Sequence, residues 1–280
     1  MDMKKAICSV GMPTYHTRVE AWECDHNQHW NIRNYLRSFQ QASDVIADMS
    51  GMASTGNSKV TRHSRFHREL FQTANVTVRS AVVADGAYAG ALVHLLSSNG
   101  RLSATSLDQP GLAADFLPRV ATDDITLALP RGLDGRRLEV ATPWGHEETV
   151  LEHGFVHPAE VDHTGALPTE GVVRRVAIAS NALLAGLGFN DEYIRTYKIS
   201  RMGAEMKVTH FQPCAAGTRL RSIARITSTG RSSLFLNCWL ITPTEEVVAQ
   251  IAQCVLFVDM TSRRVTRVPE ILRSSNSVSR

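Results

Sequence analysis

Shifted by 137 positions, this chain matches itself. Residues 16–51 align with 153–188, pairing His16/His153, Val19/Val156, Glu23/Glu160, Asp25/Asp162 and His26/His163, then Arg37/Arg174, Ala42/Ala179, Ser43/Ser180 and Gly51/Gly188. That is nine identities in 36 columns, where average composition gives about two. The matches gather on one polar run, Glu23 to Asn31, and on the amphipathic segment after it. Two copies are too few for a solenoid. They imply two fused domains that pack on each other as a homodimer would.

Each copy reads the same way. Residues 15–23 suit a strand, and residues 25–30 a polar turn. Ile32, Tyr35, Leu36, Phe39, Ala42, Ile46 and Met49 then recur at helical spacing, with Gly51 as the stop. The second copy places Val172, Val173, Val176, Ala179, Leu183 and Leu187 likewise, ending near Gly188. Pro168 stands where that helix should begin, a position that suits proline. Four strand-like stretches follow each helix: about 62–71, 74–84, 87–97 and 101–107, then about 199–211, 218–228, 231–242 and 246–259. Asp85-Gly86, Asn99-Gly100 and Thr229-Gly230 are hairpin signals. The fold class is α+β, one long helix against an antiparallel sheet in each half. The expected domains are 1–107 and 149–265. A linker at 108–148, with Pro110, Pro130, Gly132, Gly135 and Pro143, joins them, and 266–280 is a tail.

Composition excludes several classes of function. The net charge is only +3 over 280 residues, without a run of like charges, so no nucleic-acid partner is expected. Five scattered cysteines without a CxxC pair indicate free thiols in a reducing compartment. Lys4-Lys5 is not followed by an apolar run, so neither a signal peptide nor a membrane association is expected, and the default location is cytoplasmic. His63 and His67 fall in a strand, where a four-residue spacing does not build a metal site. Neither a dinucleotide fingerprint nor a Gly-x-Ser-x-Gly elbow is present. No metal or cofactor is expected.

Strand, Asp-containing turn, long apolar helix and a meander of strands resemble the hot-dog fold, here in tandem. Asp25-His26-Asn27-Gln28-His29-Trp30-Asn31 resembles the motif of hot-dog thioesterases. Asp25, Asn27 and His29 fall on the Asp-x-Asn-x-His spacing of acyl-ACP thioesterases, and Tyr35-Leu36 fits that family's aromatic-aliphatic pair. Double-hot-dog acyl-CoA thioesterases are an equally good comparison. The chain departs from the family at Gln40 and Gln41, where acids are frequent. It also carries the full motif in its first half, whereas the plant enzymes carry theirs in the second.

The resemblance implies hydrolysis of an acyl-CoA or acyl-carrier-protein thioester, with Asp25, Asn27 and His29 catalytic and Asn31, Tyr35, Arg65 and His67 at the substrate. Asp25 would serve as general base or as nucleophile. Unpaired N–H groups at the helix start would hold the oxyanion. Read as an isolated residue, Asp25 also fits a helix cap or turn acid, and capping equally suits Asn27 and Asn31. Asp162 survives in the second copy without Asn27 and His29, whose places go to Thr164 and Ala166, so that half is expected to wall the pocket. His26 recurs as His163, which favours a structural role. Arg62, Arg65, Arg68 and Arg79, and Arg219, Arg221 and Arg225, fit either coenzyme A phosphates or a solvated sheet face. Two rival functions remain: an enoyl-thioester hydratase or dehydratase, and a non-catalytic acyl-thioester binding protein. A further homodimer is also expected, since hot-dog sheets often pair.

Overall fold

The computed structural model describes residues 7–25, 27–52, 60–112, 114–133 and 149–273. In the first half, β1 (Met12–Arg18) leads through the polar turn to α1 (Ile32–Met49). Strands β2 (Thr61–Phe66), β3 (Asn75–Val83), β4 (Leu92–Ser98) and β5 (Arg101–Gln109) follow. The short β6 (Arg119–Val120) lies parallel to β3. The second half repeats the order with β7 (Thr149–Phe155), α2 (Thr169–Gly186), a short α3 (Asp191–Tyr197), β8 (Ile199–His210), β9 (Arg219–Thr229), β10 (Ser233–Ile241) and β11 (Val247–Asp259). The two-residue β12 (Arg264–Val265) pairs with β11.

One continuous sheet runs β1-β3-β4-β5-β2-β8-β11-β10-β9-β7. The halves join where β2 and β8 pair antiparallel, with Arg62 opposite Val208 and Ser64 opposite Met206. Both long helices lie on one face of this sheet and pack on each other. Leu36, Phe39 and Ala42 of α1, and Val172, Val176 and Ala179 of α2, are fully buried in the shared core. Burying a Leu or Phe of this kind stabilises by roughly 1.5–3 kcal/mol. This is the tandem hot-dog arrangement that the repeat and the motif imply.

The repeat is a real pseudo-twofold. Trp30 N–H donates to the Leu70 carbonyl at 2.7 Å, and Leu167 N–H to Cys214 at 2.7 Å. Thr73 N–H donates to Val19, and Gly217 N–H to Val156. The offset is 137 up to the helices and 144 after them. The seven residues of α3, which helical periodicity in the sequence did not single out, account for the difference. Phe189 at its entrance packs against Phe257 and Tyr193.

The proposed linker and tail are partly built into the fold. Asp108 and Gln109 complete β5, and Ile125 and Ala128 pack with Leu95, Leu102 and Leu107 on the sheet face away from the helices. Val268 and Leu272 are buried in the main core. Among the described residues no single helix is long and apolar enough to cross a membrane.

Candidate active site

The Asp25 turn is built by its own backbone. Asp25 N–H donates to the His29 carbonyl at 2.8 Å, and Gln28 N–H to the Asp25 carbonyl at 2.9 Å. Asp25 Oδ1 accepts from Asn27 N–H at 2.8 Å and from His29 N–H at 3.0 Å. Such a turn requires a left-handed residue, and Gln28 takes φ 63°. Asp162 repeats the design: its Oδ1 accepts from Thr164 N–H at 2.9 Å and Ala166 N–H at 3.4 Å, with Gly165 at φ 78° in place of Gln28. The turn acid and the expected catalytic acid are therefore one group, with one oxygen committed to the turn. His26 lies outside the described residues.

The turn delivers the chain to the start of α1. Asn31 is its N-cap, accepting from Arg33 N–H through Oδ1 at 3.2 Å. Beneath it, Glu23 accepts from Trp30 Nε1 at 2.9 Å and pairs with Arg37. Burial works to raise the Glu23 carboxyl, but its hydrogen bonds from Arg37 and Trp30 outweigh this and lower it. The equivalent Glu160 pairs with Arg174. The first helical N–H, on Ile32, meets no acceptor among the described residues. His29 stands beside the turn, its Nδ1 3.2 Å from Glu69 Oε1 and its ring edge-on to Phe71. A groove of about 300 Å³ adjoins this pair, lined by Glu69, Phe71, Thr73, Asn75 and Asn99.

The two helices meet at the pseudo-twofold axis. Arg33 and Glu170 occupy equivalent positions and face each other, Nε to Oε1 at 3.7 Å. Each turn thus looks across to the other half's helix, and the two views differ. Opposite Asp162, Gln40 of α1 donates through Nε2 to Asp162 Oδ2 at 3.1 Å and accepts through Oε1 from Thr169 N–H at 2.9 Å. The residue equivalent to Gln40 on α2 is Ala177, which has no group to make such contacts.

The walls differ as well. Thr169 Oγ1 accepts from Arg62 Nη1 at 3.3 Å and lies 3.1 Å from His210 Nε2. Burial, helped by Arg62, pushes the His210 imidazole down to about 3, so it is neutral at ordinary pH. The positions equivalent to Thr169, Arg62 and His210 are Ile32, Met206 and Phe66, all apolar. Ile32 packs against β8 so closely that a Cβ on Gly203 would sit 2.8 Å from its Cδ1.

Behind the Asp162 turn lies a buried charged cluster whose counterpart in the second half is the uncharged set Ser180, Cys238 and Gln253, where Gln253 Nε2 donates to Ser180 Oγ at 3.2 Å. Arg62 Nη2 reaches Asp108 Oδ2 at 2.6 Å, and Ser43 Oγ is 2.9 Å from that oxygen and 3.0 Å from His94 Nε2. Burial works against the Asp108 carboxylate, but Arg62 and then His94 prevail and hold it far below the usual range. His94 has no exposure, so this Ser–His–Asp contact is internal bracing. Asp44, one turn beyond Gln40, has its carboxyl raised, chiefly by burial.

The other expected site residues are dispersed. Tyr35 lies in the core, where its hydroxyl accepts Leu70 N–H at 3.0 Å. Arg65 points to the sheet face away from the helices and donates to the Leu129 carbonyl at 2.9 Å. His67 follows on β2's end, its N–H bound to Ser103. Alternation explains the loss: Arg62, Ser64 and Phe66 point to the helices, and Thr61, His63 and Arg65 away. Arg62 is sealed by Asp108, while Arg68 and Arg79 donate to backbone carbonyls. Arg219 pairs with Glu152, and Arg225 lies over Trp239. Gln40, Thr169 and Ile32 were not among the expected site residues. Only Gln40's departure from the family pattern hinted at a role.

Comparison with known proteins agrees with this fold. Residues 156–275, which include the Asp162 turn, match the family model of the thioesterase-like superfamily. No curated protein matches the chain in sequence. A protein described as an oleoyl thioesterase from Lactobacillus plantarum shares 11% identity at a TM-score of 0.60, over 94% of this chain and 100% of that one. The 12:0-ACP thioesterase from Umbellularia californica shares 12% at 0.57, over 89% and 94%. An acyl-ACP thioesterase from Bacteroides thetaiotaomicron shares 12% at 0.56, over 92% and 100%. At these identities the likeness speaks for the fold, and it spans both halves. The chain is a tandem hot-dog protein by fold, and its residues 156–275 are similar to the thioesterase-like superfamily.

Proposed function

We propose that this protein hydrolyses an acyl thioester, of coenzyme A or of an acyl carrier protein, at the Asp25 turn. The observation that carries this reading is the division of labour within one carboxylate. Oδ1 of Asp25 is held by the N–H groups of Asn27 and His29, while Oδ2 has no protein partner among the described residues.

Asp25 Oδ2 takes a proton from water as the water oxygen bonds to the thioester carbon. The carbonyl oxygen gains charge beside the open N–H of Ile32, where the helix dipole favours an anion. One such donor is worth about 3 kcal/mol in enzymes that depend on it. Collapse breaks the C–S bond, and the thiolate leaves with the proton that Asp25 holds. A thiolate leaves readily, so neither a strong acid nor a metal is required. His29, oriented by Glu69, and Asn27 stand at the thiol side, next to the groove along Phe71. Ile32, Met206 and Phe66 suit an apolar acyl chain, as burial of each methylene contributes about 0.8 kcal/mol.

The test is thiol release from a panel of acyl-CoA substrates, read with a thiol-reactive dye and beside an enoyl-CoA hydration assay. Asp25→Asn should fold normally and lose about 100-fold or more in turnover. Unchanged turnover in that variant would refute the mechanism. Hydration without thiol release would place the protein among the hydratases, and binding without either reaction would make it a carrier.

A further inference from the structure

In the second half, the position where the first half would receive its substrate is filled by a side chain of the protein itself. Gln40 reaches across from α1 and spans two groups: the Asp162 oxygen left over by the turn, at 3.1 Å, and the first N–H of α2, on Thr169, at 2.9 Å. A carboxamide is a planar O=C–N unit, isosteric with the O=C–O of a carboxylic acid. Its oxygen rests on the helix N–H, as an acyl carbonyl would. Its nitrogen rests on the carboxylate, where the oxygen of an attacking water ends in the acid product. Gln40 therefore measures the site: a turn carboxylate and a helix-start N–H are spaced to grip a single acyl carbonyl with its new oxygen. The turns and the helix bounds repeat at one offset, so we carry the same spacing over to Asp25 and Ile32; the caps differ, Asn31 bonding through its side chain where Pro168 has none to offer.

We propose that the Asp162 turn is a second acyl-thioester site, closed in the native chain by Gln40. The residue at positions 40 and 177 decides which of the two sites is open. This inference rests on the reading of Asp25 as the working acid. With Ala at 177, the first site has no internal occupant. With Gln at 40, the second is held in a product-like state. The second site's wall is also polar, being made of Thr169, Arg62 and His210, so once opened it takes short or polar acyl groups rather than a long alkyl chain.

The probe is a hydrolysis-resistant ketone analogue of acetyl-CoA, in which a methylene replaces the thioester sulfur. Its short acyl group fits either wall. Calorimetric titration should give one equivalent bound per native chain, two for Gln40→Ala and none for Ala177→Gln. In an Asp25→Asn background, Gln40→Ala should restore thiol release from acetyl-CoA, and adding Asp162→Asn should abolish it again. A folded Gln40→Ala protein that still binds one equivalent overturns the proposal, as does one in which residual turnover falls, which would make Gln40 a working group. If Gln40→Ala fails to fold, Ala177→Gln decides alone: retention of native binding and turnover overturns the proposal. A native chain that binds no analogue counts against the Asp25 reading instead, and the closed site then stands or falls on whether Gln40→Ala gains one equivalent.

Discussion

Arg62 Nη2 lies 2.6 Å from Asp108 Oδ2, both side chains almost without exposure, and Met206 and Gln253 hold the same two places in the other half. The molecule thus contains its own control for a buried ion pair. Removing one partner strands a charge, at a cost of roughly 3–5 kcal/mol, whereas replacing both with fitting neutral residues is often tolerated. Arg62→Met should therefore cost several kcal/mol in urea unfolding. Arg62→Met with Asp108→Gln should recover most of that loss. Additive destabilisation in the double variant would show that the pair has no such coupling.

Tyr35 distinguishes a core residue from a substrate contact. Its hydroxyl is the acceptor for a buried N–H on Leu70. Tyr35→Phe leaves that donor unpaired, which costs about 1–3 kcal/mol. Thermal unfolding should register the loss while KM for the best thioester stays within about twofold of native. A large rise in KM at native stability would return Tyr35 to the substrate.

Asn31 caps α1 through Arg33 N–H. Asn31→Ala should cost about 1 kcal/mol of stability, as loss of an N-cap commonly does. It also releases the helix start on which the Ile32 N–H is aimed. Turnover should fall more than KM changes, and Asn31→Asp or Asn31→Ser, which can cap, should restore both quantities.

Acid should weaken the protein through Glu205. This carboxyl sits 2.8 Å from His63 Nε2 and accepts N–H bonds from Arg131, Gly132 and Leu133. Burial works to raise it, but the bonds from His63, Arg131 and Gly132 prevail and bring it from 4.5 down to about 2. A lowered carboxyl lends stability that is complete above its unfolded value and is lost as pH falls toward its folded one. The contribution is therefore whole above about pH 4.5 and disappears between there and about pH 2. Melting temperatures across that window should fall steeply for the native chain. Glu205→Gln should start lower and show a flatter acid limb. Parallel curves would dismiss Glu205 as the acid-labile group.

The sequence revealed the fold better than it revealed the site. Helix α1 and its copy were legible because apolar residues from Ile32 to Met49 and their stops recur in both halves. The strands were legible from alternation and from turns such as Asn99-Gly100. The Asp25 turn was legible as a motif, because its bonds are all local. Gln40 was not, because its partners Asp162 and Thr169 are 122 and 129 residues away. They meet only once β2 and β8 have set their register, and no periodicity in either segment encodes that pairing. Arg65 failed for the complementary reason: a one-residue difference in a strand changes the face. It was grouped with Arg62 by charge, although the two lie on opposite sides of the sheet.

Residues 110–148, between β5 and β7, make one chain of two halves that the β2–β8 seam could equally join as identical subunits. In a symmetric dimer every substitution appears twice, so a glutamine at the position of Gln40 would stop both sites and an alanine would open both. Covalent fusion lifts that constraint. Once the halves are separate stretches of one gene product, they can be selected independently. One can specialise in chemistry while the other trades its pocket for rigidity, and the asymmetry between Gln40 and Ala177 is inherited with the chain rather than left to the chance meeting of two different subunits.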